Sequence, residues 1–323
     1  MKMHTDTHGV IELEPKHTKM SILTHKYTNL CFAGGGGKGF VYYGALQALI
    51  QRGILKHCVN FAGSSVGAIT AAMAGLLAFL PETRHSEVFD SIMAVNFDQL
   101  IGLPEGGCVS IMCECLRDIF HLIETKGIYS GDKIEAYIND LFRTILGLDS
   151  NPTFEQFKDL TGKSLTITAT IIGYAGSKLD GGGKTLYFSD TNTPKVEIGF
   201  AIKASIAIPG LFTPVQYEDF YLIDGGTLDN YPLNVFDRRC LETNQIIEFN
   251  TRTLGMTLES SIMHAHLQGL TFQSYTSDLI DSLCDRIRTL QAEIPHYTDR
   301  TIAIPTGILS TTTFNPDGDL KLW

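Results

Sequence analysis

Basic residues are scarce in this chain. Twenty-five Lys plus Arg stand against 35 Asp plus Glu, a formal net charge of −10, so the molecule as a whole repels phosphate backbones and gains no attraction to anionic lipid. Nucleic acid is therefore not expected as a partner. Cysteine is sparse as well. Cys31, Cys58, Cys108, Cys113, Cys115, Cys240 and Cys284 are too few for a disulfide framework, and their odd number leaves at least one thiol unpaired. A reducing compartment, or tolerated free thiols, follows. A membrane span is lacking too: only Cys58 to Pro81 is long and uncharged enough to approach ~30 Å of hydrocarbon, and a Gly-Ser-Ser-Val-Gly turn interrupts it. Met1 to Thr28 holds charges, Thr and four His but no apolar core of the kind a signal peptide needs. A soluble, cytoplasmic protein with at most peripheral membrane contact is expected; export without a cleaved signal, as for an effector, would leave the same pattern.

What is present suits a packed globule. The 323 residues are 44% apolar and 19% charged, enough chain to bury a sizeable core in one large or two ordinary domains. Residues 1–28 show neither helical nor strand periodicity and read as a flexible leader, so one domain is expected over 29–323. Leu30 to Ala33 reads as a buried strand, Gly34 to Gly37 as a turn, and Phe40 to Arg52 as a helix stopped by Gly53. The unit then repeats, with a strand at Val59 to Ala62 and a helix from Val66 to Leu80 before Pro81. Between Glu82 and Asp159 the pattern is mostly helical, and 82–128 is expected to be a helical insertion or lid whose apolar runs, Leu100–Leu103 and Val109–Met112, would face lipid. Strands are expected at Leu165–Ile172, Leu186–Phe188, Phe220–Ile223 and Ile246–Phe249, and helices at Val196–Ala204 and Met256–Arg288. Strands alternating with helices predict an α/β fold with a mostly parallel sheet covered on both faces.

Gly34-Gly35-Gly36-Gly37-Lys38-Gly39 admits three readings. A dinucleotide fold needs an acidic residue about 20 residues on, and no Asp or Glu occurs from Phe40 to Leu80. A P-loop needs Ser or Thr after Gly-Lys, where Gly39 stands; Gly183-Lys184-Thr185 fails because Lys178 replaces the first glycine. The third reading is a run of N–H groups at a helix start that surrounds a negative oxygen, an oxyanion hole, set against a plain tight turn.

Gly63-Ser64-Ser65-Val66-Gly67 fits G-x-S-x-G between a strand and a helix, with Ser65 as candidate nucleophile and Gly63 and Gly67 sparing a sharp turn from clashing Cβ atoms. A triad would need a downstream imidazole from His85, His121, His264, His266 or His296, but His264 and His266 fall in an expected helix, His296 follows Pro295, and none has an obvious strand-to-loop context. Tyr221-Leu222-Ile223-Asp224-Gly225-Gly226 instead places a carboxylate at the end of an apolar strand, before two glycines that permit close backbone approach. Asp224 is the better candidate base, provided it touches Ser Oγ directly and is partly desolvated. No EF-hand spacing is found, and neither a metal nor a cofactor is expected.

Those three motifs, in that order, resemble the patatin-like phospholipase family. The similarity extends to Ala204-Ser205-Ile206-Ala207-Ile208-Pro209-Gly210-Leu211-Phe212 and to Asn230-Tyr231-Pro232; it covers about Asn29 to Asn250 and, more weakly, Ile302 to Phe314. It implies a three-layer α/β/α sandwich and a Ser65–Asp224 dyad without histidine. Gly34, Gly35, Gly36 and Gly37 would form the oxyanion hole, supported by Lys38, Gly39, Gly63, Gly67, Gly225 and Gly226. The implied activity is cleavage of acyl esters of phospholipids or related lipids at a membrane surface. Ala33 stands where many members have Asp, and Lys38 where Arg is more frequent, which keeps the charge but not the bidentate geometry. Two other readings are weighed beside it: an α/β-hydrolase with a Ser-Asp-His triad, and a catalytically silent lipid-binding protein on the same fold.

Overall fold

The structure is a computed structural model that describes residues 26–94, 126–174, 183–259, 272–307 and 309. The bulk of the expected leader, and 95–125 of the expected insertion, lie outside the described residues, as do His121, His264 and His266. The described strands are β1 (Asn29–Phe32), β2 (Asn60–Gly63), β3 (Gly127–Tyr129), β4 (Ser164–Tyr174), β5 (Lys184–Ser189), β6 (Gly210–Phe212), β7 (Val215–Tyr217), β8 (Phe220–Asp224), β9 (Arg238–Arg239), β10 (Ile246–Glu248), β11 (Thr253–Glu259) and β12 (Thr301–Pro305). The helices are α1 (Tyr42–Gln51), α2 (Val66–Phe79), α3 (His85–Ala94), α4 (Asp132–Leu146), α5 (Phe154–Thr161), α6 (Ile198–Ser205), α7 (Gly226–Asp229) and α8 (Phe272–Ala292).

One eight-stranded sheet runs β12-β11-β1-β2-β4-β8-β7, with β5 also paired to β4. From β12 to β4 every pairing is parallel, whereas β5 and β8 run antiparallel to β4. Alternate residues of β1 enter different cores. Leu30 and Phe32 join a large apolar cluster with Leu46, Leu76 and Phe157, while Cys31 and Ala33 join a smaller one with Tyr231, Leu233 and Tyr297. A sheet with a core on each face, each closed by helices or turns, is a three-layer α/β/α arrangement. Helix α2 is buried almost all round, from Gly67 to Leu77, because Ala68, Ala71, Ala72 and Gly75 let it lie close to the sheet; a Cβ on Gly75 would already meet Phe157 at 3.0 Å. At about 1.5 Å per residue its 14 residues fall short of a bilayer, and no helix among the described residues is long and apolar enough to cross a membrane.

One expectation needs correction. The helix expected from Met256 to Arg288 does not begin there: Met256 to Glu259 belong to β11, held between β1 and β12, and α8 covers Phe272–Ala292. A short apolar run gives no periodicity that separates a central strand from a buried helix. Ile246–Glu248 is indeed a strand, but it pairs with β9 in a separate two-stranded ribbon rather than in the main sheet. The expected start at Asn29 matches β1, although the Thr28 N–H already donates to the Arg252 carbonyl.

The far edge is fastened by one buried ion pair. Arg300 donates from Nη1 to Asp237 Oδ1 at 2.6 Å and from Nη2 to Asp237 Oδ2 at 3.1 Å, both side chains being essentially inaccessible. Further donations reach the His296 and Asn250 carbonyls and Asn234 Oδ1, so the fork is fully used. Arg300→Ala is expected to lower the unfolding free energy by about 3–5 kcal/mol by stranding Asp237. Arg300→Lys should fail to restore it, because an ammonium cannot reproduce the planar fork. A urea titration reads this as a lower midpoint, and a change below about 1 kcal/mol for Arg300→Ala would contradict it.

Candidate active site

The site forms where two strands meet end to end. Strand β5 pairs with Thr166–Ile171 of β4; it shares Thr166 and Ile167 with β2 and Ala169–Ile171 with β8. A strand has two edges, so β2 and β8 must lie together on the edge opposite β5. Gly63, the last residue of β2, faces Ile167, and Asp224, the last of β8, faces Ala169. The two chain ends therefore point at each other from opposite directions, separated by two residues of β4, about 7 Å. Thr168 sits between them, and a Cβ on Gly225 would strike its Oγ1 at 2.2 Å.

Ser65 occupies the turn from β2 into α2 with φ 52 and ψ −127, a backbone conformation that a residue bearing a Cβ adopts only under constraint. The neighbouring glycines are required by contact. A Cβ on Gly63 would lie 2.0 Å from the Gly67 carbonyl oxygen, and one on Gly67 2.2 Å from that of Phe32. Ser65 Oγ donates to Asp224 Oδ2 at 2.7 Å, and Asp224 Oδ1 accepts from the Gly226 N–H at 2.6 Å. Both residues are buried. Burial pushes the Asp224 carboxyl up from the usual carboxylate range to about 7, against the downward pull of the hydrogen bonds from Ser65 and Gly226.

The glycine loop lies beside this pair, since Gly34 comes within reach of Ser65 Cβ and Gly39 abuts Val66. The Gly34 N–H donates to the Asn230 carbonyl at 2.9 Å and the Gly34 carbonyl accepts from Asn230 Nδ2 at 3.3 Å. Gly34 is thus an anchor, and its N–H is not open to a ligand. Lys38 N–H donates back to the Gly35 carbonyl. For Gly35, Gly36 and Gly37 no N–H acceptor is found among the described residues. Gly36 adopts φ 53 at the start of the 3-10 turn Gly36–Val41, which a glycine does at little cost. Lys38 and Gly39 are buried in that turn.

Sequence reasoning brought Ser65, Asp224 and the glycines to one place but passed over three neighbours. Ser205, the last residue of α6, accepts the Ser65 N–H on Oγ at 2.8 Å; Asn230 brackets Gly34; Thr168 underlies the junction. Ser205 and Asn230 lie in segments already noted for their similarity to the family, so the signal was there without a role attached. Of the histidines weighed for a triad, His85 and His296 are described: a ring nitrogen of His85 lies 3.1 Å from the Leu80 carbonyl oxygen, and His296 lies near Asp299 and Phe249. The 2.7 Å contact leaves no room for an imidazole between Ser65 and Asp224. Among the described residues no three His, Cys, Asp or Glu side chains are grouped so as to hold a metal ion. Cys31 and Cys58 are free buried thiols; burial pushes Cys58 up to about 12.

The family model described as patatin-like phospholipase matches residues 30–237. The chain belongs to the patatin-like phospholipase family. It is 28% identical to an uncharacterized protein of Acanthamoeba polyphaga mimivirus, over 68% of this chain and 65% of that one. It is 26% identical to a probable lipid hydrolase of Invertebrate iridescent virus 6, over 65% and 63%. The match thus spans just under two thirds of either relative's own length. Among solved structures, VipD from Legionella pneumophila superposes with a TM-score of 0.43 at 18% identity, covering 91% of this chain and 64% of that one. Human GIVD cytosolic phospholipase A2 gives 0.40 at 12%, covering 72% and 42%. Both superpositions are too distant to bear on function. The site of this patatin-like chain is described by its own geometry.

The raised pKa of Asp224 has a consequence for folding. The carboxyl titrates near 7 in the folded chain and near 4 when unfolded, so its neutral form favours the fold fully below about pH 4, and that contribution is lost as pH rises through about 7. The ionised group then costs about 4 kcal/mol. Asp224→Asn is therefore expected to gain stability relative to wild type between pH 4 and 8, read from urea midpoints. Parallel curves for the two proteins across that range would contradict the burial argument.

Proposed function

We propose that the protein is a lipid acyl hydrolase of phospholipase A type working through a Ser65–Asp224 dyad. The observation that carries this reading is the direct 2.7 Å hydrogen bond between two buried groups 159 residues apart in sequence. Asp224 takes the proton as Ser65 Oγ bonds to the acyl carbonyl carbon, and the carbonyl oxygen takes up the negative charge. The N–H groups of Gly35, Gly36 and Gly37 face that oxygen in this reading, and Gly34 holds the loop in register through Asn230. Collapse of the tetrahedral species breaks the ester C–O bond; the departing alcohol leaves with the proton from Asp224, and the acyl group stays on Ser65. Water then attacks the acyl-enzyme, with Asp224 again accepting a proton, and Ser65 is restored as the carboxylic acid departs.

An ordinary carboxylate is a weak base toward a serine hydroxyl, and burial is what strengthens this one. Raising its pKa to about 7 makes the anion about 10³ times more basic than a solvated Asp. Membership of the patatin-like phospholipase family, together with the relative named a probable lipid hydrolase, supports an acyl-ester lipid as substrate. The protein would meet that lipid by peripheral contact with a membrane surface.

Ser65→Ala and Asp224→Asn should each lower turnover of an acyl ester by at least about 10³-fold while leaving the folded spectrum intact. A fluorophosphonate probe should label wild type and not Ser65→Ala. Below about pH 7, kcat/KM should fall about tenfold per pH unit as Asp224 protonates. Wild-type turnover in either variant, or a flat profile between pH 5 and 7, would remove the dyad.

A further inference from the structure

Ser205 touches both loops that carry the pair. It closes α6, a helix whose Ile198, Ala201, Ile202 and Ala204 are fully buried. That helix is clamped to α4, where the Gly199 N–H donates to Asn139 Oδ1 at 3.1 Å and Lys203 forms ion pairs with Asp132 and Glu135. From this mount the Ser205 hydroxyl oxygen accepts the Ser65 N–H at 2.8 Å, and the Ser205 carbonyl accepts the Gly225 N–H at 3.2 Å. Two residues on, the Ala207 carbonyl accepts the Asp224 N–H at 2.9 Å. One short segment thus grips the nucleophile's backbone with a side chain and the carboxylate's backbone with two carbonyls.

We propose that Ser205 is the positioning residue of the site, holding Ser65 and Asp224 in contact by fixing both backbones to the end of α6. This deepens the dyad reading and rests on it. Ser65 sits at φ 52, and a conformation of that kind persists only where its surroundings over-determine it. Its N–H is a buried donor whose acceptor, among the described residues, is the Ser205 oxygen. Without that oxygen the donor is stranded, and the peptide between Ser64 and Ser65 turns to find another. Oγ, two bonds from the backbone it would follow, then leaves Asp224 Oδ2. The movement is one of the Ser65 backbone and its hydroxyl, so the damage belongs in turnover.

Ser205→Ala, assayed on a short soluble acyl ester, should lose about 10- to 100-fold in kcat with KM changed less than about twofold. The pH limb should also move. The hydrogen bond from Ser65 lowers the Asp224 pKa, so its loss displaces the limb of kcat/KM to higher pH, which a general loss of packing would not do. Should Ser205→Ala fail to fold, Ser205→Cys preserves the shape with a poorer acceptor and should show a smaller displacement in the same direction. Wild-type kcat and limb in a folded Ser205 variant would overturn the assignment, as would a lower kcat with an unmoved limb. Ser65→Ala in the same assay separates the two failures: if it is active the dyad itself is wrong, and if it is inactive beside a wild-type-like Ser205→Ala only the role of Ser205 is lost.

Discussion

The structure turns on keeping a carboxylate dry and within 2.7 Å of a hydroxyl. Burial that raises the proton affinity of Asp224 also makes its anion costly to the fold, so the surrounding backbone must hold it against the tendency to open toward water. The glycines serve that end. A side chain on Gly63, Gly67 or Gly225 would collide with backbone oxygen atoms at 2.0–2.5 Å, so the strand ends, the helix start and the two loops are in contact with no space between them. Water is kept out by the closeness of main chain to main chain rather than by large apolar side chains.

Strand direction explains why the two groups meet at all. Strand β2 runs with β4 and ends at Gly63, while β8 runs against it along the same edge and ends at Asp224. Their C-terminal ends converge over Thr168. Were β8 parallel to β4, Asp224 would emerge at the far end of that strand, several residues and about 15 Å away. The antiparallel strand in an otherwise parallel sheet is thus what brings the carboxylate to the serine, and the length of β4, 11 residues, is what allows it to carry both partners on one edge.

Much of this was legible in the sequence. Gly63-Ser64-Ser65-Val66-Gly67 and Asp224-Gly225-Gly226 mark strand ends because their glycines and small residues cannot be explained by a core, and the strands before them are short apolar runs. The strand at Leu165–Ile172 was plain from its alternating Thr and Ile, and the described β4 extends it to Ser164–Tyr174. What was not legible depends on pairing across long separations. Met256–Glu259 looks like the start of a helix until β1 and β12 are seen on either side of it. The end-to-end arrangement along β4 has no local signature, and neither does the hold of Ser205 on Ser65, 140 residues away. Gly34 differs from its three neighbours only through Asn230, which the glycine run itself does not reveal.

The absence of an imidazole from this contact sets a limit on how the base can be tuned. A histidine titrates near neutrality without help, so a triad can leave its environment partly wet. A carboxylate must be moved about three pH units to act in the same range, and only loss of solvent raises it that far, since the hydrogen bonds from Ser65 and Gly226 both act downward. Basicity and fold stability are therefore opposed at Asp224. The same residue that gains proton affinity weakens the folded state whenever it is ionised, by an amount near the cost expected when Arg300→Ala strands Asp237. Anchorage at the end of α6 offsets that opposition: the Ala207 and Ser205 carbonyls accept the Asp224 and Gly225 N–H groups, and the Gly226 N–H donates to the Asp224 carboxylate itself.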